Sequence, residues 1–204
     1  MLFDDTYKTI AEPAEAIFRD RGSKFLAFAY PIQSASQIKE VIAKLKTEHP
    51  KANHHCWAMR LSVDRSVFKL NDDGEPSGNA GRPILNTLLS KDITNTLVVV
   101  VRYFGGTLLG VPGLINAYKT ATEDVLAVSQ IIEKTVNDIY TISFDYLQMN
   151  DVMRLIKEAD LQIIEQTFDN DCSIQVSIRK THVNAVLAKV DKITGAKTKY
   201  DYSL

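Results

Sequence analysis

The chain has 204 residues, 45% hydrophobic and 24% charged, enough apolar material for one large domain or two small ones. A formal net charge of −1 excludes the whole-molecule positive field of a general nucleic-acid or acidic-membrane binder and leaves only local basic patches. Two distant cysteines, Cys56 and Cys172, with no CxxC pair and no signal-like or long apolar run, point to a reduced, cytoplasmic chain with no membrane partner.

Ala16 and Phe18, then residues 25–32 beyond an Arg21-Gly22-Ser23 turn, read as two early strands. Ser34 followed by Gln37 spells a capping box. Ile38, Val41, Ile42 and Leu45 then share one face of a helix that stops before Pro50. Residues 56–63 and 66–70 form a hairpin across Asp64-Arg65 and run into the Asn71-Asp72-Asp73-Gly74 turn. Pro83 suits a first helical turn, so residues 83–89 read as helix. The unbroken apolar run at residues 97–101 fits a central strand covered on both faces. Val98, Val100 and Arg102 point one way, and Val99, Val101 and Tyr103 the other. A helix over residues 112–128 should turn Leu114, Ala117, Ala121, Val125 and Val128 inward.

Beyond Ser129 the pattern is strand (136–146), helix (149–159), a hairpin (161–168 and 173–178) across Asn170-Asp171, helix (183–193) and strand (197–202). The second helix carries Val183, Val186, Leu187 and Val190 on one stripe. That βαββαβ order is ferredoxin-like. The change of texture divides the chain into residues 1–131 and 132–204, a two-domain α+β protein.

Six of the nine glycines and two of the six prolines lie in residues 72–85 (DDGEPSGNAGRPIL) and 102–110 (RYFGGTLLG). Ordering glycine is entropically costly, so its clustering signals positive-φ turns or close approach by another group. The two stretches flank a short helix and the central strand, and are expected to meet as one electropositive hollow at that strand's tip. Asp72, Asp73 and Glu75 offer carboxylates for a hard cation or acid–base work. Their spacing is not that of an EF-hand, and a turn explains them better, so no metal is expected. Ser77 lacks the flanking glycines of a nucleophile elbow and reads as a capping residue. Residues 105–110 open like a phosphate loop but continue into Val111-Pro112. What survives is a glycine-fed helix N-terminus, which favours an anion, and residues 79–83 offer a second. Arg82 and Arg102 would complete an anion site, with a structural ion pair as the competing reading of Arg102. His54 and His55 point to opposite faces of a strand, and His54 with Cys56 is too few ligands for zinc. Trp57, Tyr103 and Phe104 fit core positions better than base stacking. The binding residues are therefore Asp73, Glu75, Ser77, Gly78, Gly81, Arg82, Arg102, Tyr103, Gly105, Gly106 and Gly110, with no catalytic residue and no cofactor assigned.

Asp73-Gly74-Glu75-Pro76-Ser77-Gly78, Ala80-Gly81-Arg82-Pro83-Ile84-Leu85, Arg102-Tyr103-Phe104-Gly105-Gly106, Leu109-Gly110 and Ala117-Tyr118 together resemble the IMPACT family, also called the YigZ family in bacteria. The resemblance spans about residues 19–126, and the βαββαβ tail looks like the family's small C-terminal domain. It implies an N-terminal left-handed βαβ fold shared with a small-subunit ribosomal protein and the GHMP kinases, and a C-terminal domain like a ferredoxin-like domain of elongation factor G. It also implies a role in translational control under stress. Eukaryotic relatives bind an activator of the amino-acid-starvation kinase, and bacterial members are thought to bind nucleic acid or the translation machinery. No enzymatic activity is firmly tied to the family. The sequence departs from its pattern at Leu108, Pro112 and Asn116, where Lys, Gly and Arg are usual, and at Asn79, where Thr is usual. Two fewer cations weaken any phosphate contact made there.

Two readings follow. In the first, the chain is a non-catalytic regulatory module that meets RNA, the ribosome or a translation factor through the glycine-rich surface and the cleft between domains. In the second, it is an enzyme on a phosphorylated or carboxylated metabolite, or binds a small anion or nucleotide. Asp73 or Glu75 is then the base, Arg82 and Arg102 the clamp, and Gly105-Gly106 the backbone cradle.

Overall fold

In the computed structural model, residues 5–168 and 172–203 are described, and the chain divides into two compact units. The first, Tyr7–Lys134, runs β1 (Thr6–Ile10), β2 (Ala14–Asp20), β3 (Ser23–Pro31), α1 (Gln37–Glu48), β4 (His54–Leu61), β5 (Val67–Asn71), α2 (Gly81–Ser90), β6 (Thr96–Tyr103), α3 (Gly110–Val128) and β7 (Ile131–Thr135). Five of the strands form one sheet in the order β2-β3-β6-β4-β5, every neighbouring pair antiparallel. β3 and β4 therefore run parallel on either side of β6, joined by α1.

β6 is the middle strand, and its run of β-branched residues is buried on both faces. On one face Val99 and Val101 pack with Leu26, Met59 and the α1 residues Ile38 and Leu45. On the other, Val98 and Val100 join Ala27, Ala29 and Ala58, whose small side chains let α2 and α3 lie close on the sheet. Leu114, Ala117, Ala121 and Val125 of α3 face this core as their spacing predicts. Val128 does not: it is 63% exposed, because the helix ends there, and Tyr118 and Leu126 are buried instead.

Local signals are read with small corrections. Arg21 and Gly22, with φ of 45° and 80°, form the two-residue turn between β2 and β3, as a hairpin with right-handed twist demands. The capping box at α1 is half made. Gln37 Oε1 accepts from the backbone N–H of Ser34 (3.1 Å) and Gln33 (2.7 Å), while the Ser34 hydroxyl bonds Ser36 rather than the helix. α2 begins two residues before Pro83, which still lies among the positions with no intrahelical N–H partner.

β1 and β7 form a two-stranded sheet that hydrophobic periodicity did not expose. The strand expected over residues 136–146 is present but slightly shorter, covering residues 137–144. β7 belongs to the pair with β1, β8 (Asn137–Phe144) starts the second unit, and Tyr146–Gln148 is a 3-10 turn. That unit comprises the described residues of Met1–Thr6 and Thr135–Leu204. It continues with α4 (Met149–Glu158), β9 (Gln162–Phe168), β10 (Cys172–Arg179), α5 (Val183–Val190) and β11 (Lys197–Ser203). The sheet order β11-β8-β10-β9 with this βαββαβ succession is the ferredoxin-like arrangement. Its core unites Ile142, Phe144, Ile174 and Val176 with Val152, Ile156, Val183, Val186 and Val190. The Asn170-Asp171 turn lies outside the described residues. Cys56 and Cys172 are buried in separate cores, and no disulfide joins them.

Candidate binding hollow at the end of the central strand

Sheet register sets the site. At the end of β6, Arg102 stands opposite Phe25 of β3 and His54 of β4, so these side chains share the face covered by α2 and α3. The loop after β5 comes over that face, and Glu75 meets the guanidinium: Arg102 Nη1 donates to Glu75 Oε1 at 2.6 Å. The two side chains are only 6% and 4% exposed. Tyr118, from α3, donates its hydroxyl to the same oxygen at 2.8 Å. Burial first, then the neighbouring Cys56 and Glu75, pushes that hydroxyl far above the ordinary phenol range, so it stays a donor. Cys56 Sγ lies 2.9 Å from the Asp72 carbonyl and 3.3 Å from the Tyr118 hydroxyl, and its thiol is likewise held protonated, mainly by burial. The Arg102 guanidinium sits 5.4 Å from the Phe25 ring centre and 5.6 Å from that of Phe104.

The other acids of the loop are also engaged. Asp72 accepts from the backbone N–H of Gly78 (2.9 Å), Ala80 (3.1 Å) and Gly81 (2.8 Å), so its carboxylate is the N-terminal cap of α2. The second anion turn expected at residues 79–83 is thus filled by the chain's own carboxylate. Asp73, at φ 42°, accepts the His55 backbone N–H at 2.6 Å, and its carbonyl receives His54 Nδ1 at 2.9 Å. Lys46 Nζ stands 3.4 Å from its other oxygen.

The glycines divide by role. A Cβ on Gly105 would lie 1.9 Å from the Gly22 carbonyl carbon, so two backbones touch there, and the Gly105 N–H reaches Ser23 Oγ at 3.2 Å. Asn53 fixes the preceding residue by accepting the Phe104 N–H at 2.8 Å. Gly106 and Gly110 take positive φ in open space. α3 starts with no side-chain cap and no acidic residue in its first turn.

The result is a hollow of about 490 Å³ with a polar floor of Asn53, His54, Glu75 and Arg102, and an apolar wall that includes Phe104, Leu108, Leu109, Val111 and Leu114. Leu108 is 82% exposed. Of the residues picked from sequence, Glu75, Arg102 and Gly110 line it, and Gly105 and Gly106 lie in the chain between its lining residues Phe104 and Leu108. Arg82 does not join them. It is exposed on a separate hollow of about 460 Å³ between α2 and α3, with Gly78, Asn86, Lys119 and Glu123. Ser77 is exposed, Gly81 heads α2, and Asp73 braces β4 from beside the hollow. Tyr103 points through the opposite face, where its hydroxyl meets His49 Nδ1 at 3.0 Å. The expected electropositive hollow is thus corrected: its one arginine is neutralised by Glu75, and its wall is apolar. Sequence reasoning missed Asn53, and it weighed His54 and Asp72 without finding the part each plays here. A carboxylate several residues before a helix start was the available signal for Asp72. Nothing short of register would place His54 beside Arg102. Among the described residues, no three His, Cys, Asp or Glu side chains group to hold a metal ion.

The Impact N-terminal domain model matches residues 21–126, and a domain of unknown function (DUF1949) matches residues 142–197. An "IMPACT family member" of Haemophilus influenzae is 32% identical over 165 residues, 80% of each chain. "IMPACT family member YigZ" of Escherichia coli is 30% identical over 182 residues, 88% of this chain and 89% of that one. A crystal structure titled only as that of a hypothetical protein is 27% identical, covers 95% of this chain and 96% of its own, and superposes with a TM-score of 0.75. None of these names carries an enzymatic activity. With the matched domain enclosing both glycine-rich stretches, and with relatives aligned along most of the chain, this protein belongs to the IMPACT family.

Proposed function

We infer that the chain is a non-catalytic regulatory protein of translation, and that the hollow and its apolar rim are where it meets a protein partner of the translation machinery. The single observation that carries this reading is that the ionisable groups are spent on one another. Asp72 caps α2, Glu75 takes both Arg102 and Tyr118, and Asp73 braces β4. What faces outward is Leu108, Val111 and Phe104. An exposed apolar cluster around a concave floor suits a polypeptide better than a polyphosphate. Family membership supports the link to translation.

RNA is the less favoured partner, because Leu108 and Asn116 stand where the family pattern has cations. The enzyme reading loses half its clamp, since Arg82 lies outside the hollow. The test is co-sedimentation with purified ribosomes and binding to purified initiation and elongation factors, with Leu108→Glu alongside. Saturable binding, weakened at least about tenfold by the variant and little by salt, is expected. A steep salt dependence would transfer the reading to RNA. No association at low salt would end it.

A further inference from the structure

The floor of the hollow presents an unusual pair of acceptors. The Asp73 carbonyl can only accept, so His54 Nδ1 carries the proton in their 2.9 Å bond, and in that Nδ1–H tautomer Nε2 offers a lone pair. Glu75 Oε1 lies 3.9 Å from that Nε2 and already holds Arg102 and Tyr118; no described residue bonds Glu75 Oε2. Two acceptors that cannot bond each other are satisfied by a group with several N–H donors, and an ammonium has three.

An ammonium alone would meet opposition on the same walls. Arg102 lies on the floor, its Nε buried without a partner on a side chain 6% exposed. Gly110 and Val111, which head α3 at its positive end, line the hollow with no capping side chain. A ligand that brings its own carboxylate answers both signs. The remaining wall is apolar, and about 490 Å³ accommodates one leucine-sized molecule with solvent.

We propose that this hollow receives a free apolar α-amino acid, its ammonium at His54 and Glu75, its carboxylate at the head of α3, and its side chain against Phe104, Leu109 and Leu114. The proposal rests on reading the hollow as a binding site, not on the identity of any translation partner. Loading it would alter the surface that Leu108 and Val111 present, making partner docking responsive to amino-acid supply.

Leucine, leucinamide and N-acetylleucine are titrated into the intact chain by calorimetry and by two-dimensional amide NMR. Leucine is expected to bind saturably and to shift the Gly110 and Val111 amides. Removing the carboxylate as the amide, or the ammonium by acetylation, weakens binding by about tenfold or more. These comparisons need no variant, and His54→Phe with its thermal midpoint recorded adds a second line. Three outcomes overturn the proposal: no leucine binding up to about 10 mM, acetylleucine binding as well as leucine, or shifts confined to Thr135–Leu204. Because the chain alone is titrated, leucine binding stands even if no translation partner is found, and partner docking stands even if leucine does not bind.

Discussion

The two glycine-rich stretches look alike in composition and behave in opposite ways. In residues 72–81 three carboxylates find partners within the unit, and the loop becomes a brace between β4, β6 and α2. In residues 104–110 the first two are tied, Phe104 to Asn53 and Gly105 to Ser23, and the rest carries no acid. One helix start is filled by Asp72; the other opens on a hollow. Glycine therefore marks both places, and nearby acids decide which becomes scaffold and which stays open. The same acids explain why a hollow with an arginine at its floor is not electropositive.

The strongest way to break this contrast is to remove the arginine that Glu75 holds. Arg102→Met leaves a buried carboxylate with Tyr118 as its one hydrogen-bond donor among the described residues, and a loss of about 3–5 kcal/mol is expected in urea unfolding. An unchanged midpoint would mean that the acidic loop braces nothing. Next comes the tied end of the second stretch. Gly105→Ala drives a methyl into the Gly22 backbone and should cost about 3 kcal/mol, whereas Gly106→Ala, strained at φ 86° but in open space, should cost about 1 kcal/mol. Equal losses at the two glycines would erase the distinction between anchor and open turn.

These predictions also show which features were legible from the residues. The Val98–Val101 alternation located both cores and the face carrying Arg102, because period two is enforced by strand geometry alone. Val183, Val186 and Val190 likewise revealed the α5 stripe. Partner choice was not legible. The sequence allows a structural ion pair at Arg102, but only the path of the loop supplies Glu75 to it and leaves Arg82 exposed. His54 reads from the sequence only as a strand residue with too few neighbours for zinc, because its closeness to Arg102 depends on β4 pairing with β6, a contact between elements far apart in the chain. Pairing of β1 with β7 joins the two ends of the first unit, and short strands with no alternation carry no signal of it.

Asp72→Ala sharpens the contrast between the two helix starts. Three backbone N–H groups lose their acceptor at once, and a loss of about 2 kcal/mol is expected by thermal or urea unfolding. No comparable residue exists to delete at α3, whose first turn has neither cap nor acid. Should Asp72→Asn restore nearly all of the stability, hydrogen bonding rather than charge at the helix end would be the main contribution.

The smallest effect belongs to His55, whose backbone Asp73 holds. Burial keeps its imidazole below the ordinary value of 6.5, with the Asp73 carboxylate acting in the opposite sense, and Nε2 is buried without a partner. The unfolded chain therefore takes up a proton at higher pH than the folded one. This contribution to stability is complete above pH 6.5 and is lost progressively as the pH falls through the folded value. Urea midpoints recorded on either side of that pH should decline toward acid in the parent chain and decline less in His55→Phe, which removes the proton site and keeps a ring. Parallel slopes in the two proteins would place the acid sensitivity elsewhere, and Asp73 would then brace β4 through the His55 backbone alone.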